Sequence, residues 1–166
     1  MTPTERLLAL ADLLEADPAT WPRPAGDDRP PAFDLADWRQ TTDCGTACCA
    51  AGLAGLYPPF QALGFALADD PRPVGGIRHS YPAYRAADGD LSHNWAALSL
   101  FFGLGTYGPR GPGRPAVRRA FAFDSYPAAD HTNPRAVAAR LRRLAAGDPV
   151  DDWDSWKTTP QPEESR

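Results

Sequence analysis

The chain has only four valines and one isoleucine in 166 residues. β-Branched aliphatic residues normally furnish buried strands, so this scarcity predicts a mainly α fold with little or no sheet. No apolar run reaches the roughly 18 to 20 residues of a membrane-spanning helix, because proline, glycine or charge interrupts every stretch. Met1-Thr2-Pro3-Thr4-Glu5-Arg6 offers no basic region ahead of an apolar one, and Asp12 and Glu15 break the leucines that follow, so no export signal is read. Three cysteines, at 44, 48 and 49, are odd in number and close together, which excludes a disulfide framework. A reducing cytoplasm is the expected compartment. No Gly-Lys-Ser/Thr follows the Gly/Pro stretch 103–115, so a phosphate-cradling P-loop is excluded, and no repeat period indicates a solenoid.

Prolines and glycines are plentiful instead, 19 and 14, and imply long irregular connections between short elements. The length suits one globular domain, expected over 1–147. An acidic tail over 148–166 follows, with Trp153 and Trp156 three apart and disorder expected from Thr158. The net charge of −4 is uneven: −6 over 1–109, +6 over 110–147 and −4 over 148–166. Arg118, Arg119, Arg142 and Arg143 in the basic stretch are the candidate polyanion-binding residues, with Tyr107, Phe121, Phe123 and Tyr126 nearby for stacking. No nucleic-acid recognition motif accompanies them, so a solvated, screened patch is favoured over a nucleic-acid site.

Helix signals are clearest at the two ends of the domain. Thr2, Pro3 and Glu5 form a capping box ahead of Leu7, Leu10, Ala11 and Leu14, one apolar helical face. Asn133, Pro134 and Gly147 frame a last helix with Val137, Leu141 and Leu144 as its stripe. Between them, Ser92 caps a short helix carrying Ala97, Leu98, Phe101 and Phe102, and Phe60–Leu67 reads as another. Ile77–Tyr84 is strand-like, but Pro82 restricts it to an edge at best. About five short helices therefore surround a central small-residue helix that starts at Thr42 or Asp43 and stops at Pro58-Pro59. That helix contains Cys48, Cys49, Gly52 and Gly55, and the small side chains invite close packing.

A thiol in the first turn of such a helix sees unsatisfied amide N–H groups and the positive end of the dipole, which favour the thiolate. Cys44 is thus the candidate nucleophile. His93 is the preferred base among His79, His93 and His131, with Asp124 or Asn94 to orient it. Cys44 and Cys48 are a single close pair without a second, which does not make a structural zinc site, and no metal or cofactor is expected. Gln40, Asp43, Cys44, Gly45, Ala47 and Cys48 resemble the start of papain-like peptidase domains in bacteriocin exporters. That likeness implies Cys44 as nucleophile and Gln40 as the oxyanion-hole side chain. In that family the glutamine lies further upstream and the fold needs a sheet.

A second resemblance covers more of the chain. Cys44-Gly45-Thr46-x-x-Cys49-x-Ala51-Gly52, followed by Ala62-Leu63-Gly64-Phe65, Leu100-Phe101-Phe102-Gly103-Leu104 and Ala120-Phe121, is similar to a set of uncharacterised bacterial and phage proteins with a Cys-Gly-Thr-x-x-Cys-x-Ala-Gly core. It implies a compact α-rich fold and no particular chemistry. The expected function is non-enzymatic interaction with another protein, in an accessory or phage-derived role. The enzymatic alternative is a thiol-dependent hydrolase using Cys44 and His93.

Overall fold

The computed structural model describes residues 1–36, 38–42, 45–72, 77–105 and 113–148. The tail readings at 149–166, and Asp43 and Cys44, lie outside them. Helix α1 (Pro3–Glu15) forms where the capping box places it: Thr2 Oγ1 accepts from the Glu5 N–H at 3.2 Å, and Glu5 Oε2 accepts from the Thr2 N–H at 2.7 Å. Its face of Leu7, Leu10, Ala11 and Leu14 is buried, and it packs against α6 (Pro134–Ala145), which Asn133 caps.

The middle of the chain overturns the mainly α expectation. Six strands form one mixed sheet, so the fold is α/β: β1 (Ala32–Phe33), β2 (Arg39–Thr42), β3 (Gly45–Cys48), β4 (Phe65–Asp69), β5 (Arg78–Arg85) and β6 (Leu91–His93). The order is β1-β3-β2-β5-β4, with β6 also on β5; only β1 and β3 run parallel. Helix α2 (Ala50–Leu56) starts six positions after Cys44, because Gly45–Cys48 is strand, and Cys49 is its N-cap. The short α3 (Pro58–Gln61) begins where the double proline stops α2, and the expected helix to Leu67 gives way to β4. Helices α4 (Asn94–Phe101) and α5 (Gly113–Phe121) complete the layer.

Such a sheet needs no valine or isoleucine, for two reasons. Its strands are short and use threonine, phenylalanine and tyrosine, which also favour the extended conformation. One face carries most of the burial, so each strand needs apolar residues at alternate positions and not a continuous run. On that face Phe33, Cys48, Phe65 and Pro82 are buried, and Phe65 stacks on Phe101 of α4 with ring centroids 4.5 Å apart. The other face carries Ala32, Gln40, Ala47, Ala66, Ala68, His79, Tyr81 and His93, none of them buried, and Ala83, which is buried.

Pro82 also lies in an interior strand, not an edge one. The Asp70 N–H bonds to the His79 carbonyl and the Arg85 N–H to the Gly64 carbonyl, so odd-numbered residues of β5 face β4. Even-numbered residues face the other edge, which β2 occupies over Arg78–Ser80 and β6 over Ala83–Arg85. Pro82 therefore turns its missing N–H towards the break between β2 and β6, where no ladder bond is lost. Trp38 and Trp95, just beyond the ends of those strands, meet edge to face at 5.4 Å.

Close packing of α2 follows its small residues. A Cβ on Gly52 would collide with the carbonyl oxygen of Trp38 and lie 2.6 Å from the Cys48 Cβ. Gly45 has a different reason: the space around it is open, but its φ of +130° is one that side-chain-bearing residues rarely adopt.

Candidate functional site

The candidate residues that are described lie on several elements. Gln40 is on the solvent-facing side of β2, opposite Ala47 on β3 and His79 on β5. His93 ends β6 on the same face, exposed, with its ring 5.6 Å from that of Tyr81. Gly45 pairs with Thr42 at the end of β2. Asp124 is on the α5–α6 connection, exposed and ion-paired with Arg118. Asn94, the other candidate orienter, follows His93 with φ 57°, a left-handed conformation that asparagine tolerates.

The remaining thiols are structural in setting. Cys48 and Cys49 are fully buried, and the Cys49 Sγ lies 3.9 Å from the Trp38 carbonyl oxygen. Burial, and then the neighbouring Cys49, pushes the Cys48 thiol well above its ordinary range, away from the thiolate a nucleophile needs.

The candidate polyanion arginines are engaged within the protein. Arg142 of α6 reaches Asp12 at 2.7 Å and Glu15 at 2.6 Å on α1, and these carboxylates hold its guanidinium even more firmly protonated than usual. Arg143 pairs with Asp148 at 2.8 Å, Arg118 with Asp124, and Arg119 is buried. Of these contacts, those of Arg142 join two helices, whereas the Arg143 and Arg118 pairs are local.

The solvent-facing side of the sheet holds a more coherent group. Asp70, His79, Tyr81 and Trp38, with Ala36 and the strand segment of Arg39 and Ser80, line a depression of about 230 Å³. Asp70 lies beside His79 across the β4–β5 ladder, and its Oδ1 accepts the Arg72 N–H at 2.9 Å. Tyr81 is flanked by Ala68 on β4, whose small side chain leaves the ring accessible from that edge. The depression thus combines three aromatic rings with one exposed carboxylate. The chain signals it by the alternation His79-x-Tyr81 facing Ala66-x-Ala68, a pattern obscured by Pro82.

No helix among the described residues is long and apolar enough to cross a membrane. Protein-family models, curated proteins and solved structures yield no match to this chain.

Proposed function

We propose that this protein is a non-catalytic interaction protein that binds a partner protein by accepting one of its cationic side chains, arginine or lysine, at the depression between Trp38, His79, Tyr81 and Asp70. The observation that carries the reading is the combination of aromatic rings and a carboxylate on a sheet face that the helices leave open. Ring faces attract cations by about 0.5 to 2 kcal/mol, and a neighbouring carboxylate adds a charge-assisted contact. The rings sit on or beside paired strands, so little ordering accompanies binding. Charge complementarity selects a cation over an anion at Asp70. An accessory role of the kind implied by the bacterial and phage resemblance fits a protein that works by docking.

The test compares immobilised wild-type protein with Tyr81→Leu and Asp70→Asn variants against peptides containing arginine or lysine. Matched peptides carry citrulline or acetyl-lysine instead. The expected outcome is retention of the cationic set, weakened at least tenfold by either substitution. Equal retention of the neutral peptides sinks the reading.

A further inference from the structure

The buried side of the sheet is apolar only beneath the helices. Beyond them it becomes polar: Arg39 and Thr41 of β2, Thr46 of β3, Asp69 of β4 and Arg78 and Ser80 of β5 share this face by register. With the segment Pro24–Asp27 as a wall, Arg39, Thr41, Asp69 and Arg78 line a cleft of about 390 Å³, within the range of small-molecule sites. Its polar groups are held in place from behind. Thr46, almost buried, donates to Asp27 Oδ2 at 2.6 Å and lies 3.2 Å from the Thr41 hydroxyl. Ser80, also almost buried, donates to Asp69 Oδ1 at 2.6 Å, and the same oxygen receives Arg39 at 2.6 Å.

The charges in this cleft count in an informative way. Two carboxylates and two guanidiniums line it, and one of each, Asp69 and Arg39, neutralise each other. Among the described residues, neither Asp27 nor Arg78 has an ion-pair partner. One negative and one positive charge therefore stay available in the same cleft.

We propose that this cleft binds a small zwitterion, of which a free α-amino acid is the simplest carrier. Its carboxylate would lie against the Arg78 guanidinium, and its ammonium against the Asp27 carboxylate that Thr46 orients. A purely anionic ligand would leave Asp27 opposed to like charge, and a purely cationic one would face Arg78. The cleft faces away from the aromatic depression, and this proposal does not rest on the cation-docking reading.

The test uses nitrogen-15 NMR titration of the folded protein with glycine, L-alanine and L-glutamine. The N-acetyl and carboxamide derivatives of each serve as single-charge controls. Saturable shifts at the Gly26, Thr41 and Thr46 amides are expected with at least one free amino acid, weakened at least tenfold when either end is blocked. Arg78→Gln, on an exposed side chain, should weaken binding at least tenfold with unchanged circular dichroism, and so should Asp27→Asn. Tyr81→Leu should leave it unchanged, which separates this site from the other face. Absence of saturable shifts with all three amino acids, equal binding of the blocked forms, or insensitivity to Arg78→Gln overturns the proposal. If Asp27→Asn does not fold, Arg78→Gln decides alone.

Discussion

The guanidinium carbon of Arg140 lies 3.6 Å from the centre of the Tyr126 ring, both side chains buried between α5, the turn that follows it, and α6. Arg140 donates to the Arg119 carbonyl at 2.9 Å and the Ser125 hydroxyl at 3.1 Å, and the Tyr126 hydroxyl donates to the Ala120 carbonyl at 2.7 Å. The pair ties the C-terminal end of α5 to the middle of α6 around one stacked cation. Truncating Tyr126 to leucine removes the ring face and a hydrogen bond, and it leaves the cation buried without its π partner. A loss of about 2 to 4 kcal/mol is expected in urea unfolding. A loss below about 1 kcal/mol would show that the stack contributes little.

The same tyrosine imposes a pH limit. Burial pushes the Tyr126 hydroxyl well above its ordinary value, more than the nearby Arg140 lowers it. Its folded pKa is raised, so its contribution is complete below the unfolded value of about 10 and declines as pH rises above that point. Wild-type stability should therefore fall between about pH 10 and 11.5 more steeply than that of Tyr126→Phe, which has no proton to lose. Parallel curves for the two proteins would place the alkaline limit elsewhere. At neutral pH the phenylalanine variant should cost about 0.5 to 1.5 kcal/mol for the lost bond to Ala120.

Gly52 offers a test in which propensity and packing disagree in sign. Alanine in a helix interior normally gains about 0.5 to 1 kcal/mol over glycine. At Gly52 the added methyl meets the Trp38 backbone carbonyl, which Cys49 also contacts, and the Cys48 Cβ, so neither neighbour is the free end of a flexible chain. Gly52→Ala should destabilise by about 1 to 3 kcal/mol, read from the thermal or urea midpoint. A gain in stability would mean that α2 does not lie this close to Trp38.

Helix ends with side-chain caps were legible from the sequence, as Thr2 and Asn133 show, because a cap is a local hydrogen bond written in adjacent residues. The sheet was not. Its strands, two to eight residues long, carry Thr, Ala, Ser, Phe and Tyr in stretches too short for a period to stand out, and Pro82 looks like a breaker until the gap between β2 and β6 is known. The small-residue run Ala47–Gly55 misled in the same way: its first two residues are strand and Cys49 is the cap, so only the glycine spacing of α2 reflects helix packing. Of the candidate site residues, Gln40 and His93 reach the solvent-facing side of the sheet, whereas Asp124 is tied to Arg118. Tyr81, Asp70 and Arg78 gain their meaning only from strand register, which no local pattern encodes.

Arg142 tests whether the basic stretch of the sequence is a binding surface or a set of internal bridges. Its guanidinium spans two carboxylates of α1, Asp12 and Glu15, with all three side chains partly exposed. Exposed pairs of this kind contribute about 0.2 to 1 kcal/mol and weaken as salt screens them. Arg142→Ala should thus lower stability by roughly that amount in 50 mM salt, and the difference should shrink towards zero in 1 M salt. Heparin retention should respond little to the same change, because the charge it removes is already met by two acids. A large drop in retention with unchanged stability would reverse the assignment and return Arg142 to a polyanion surface.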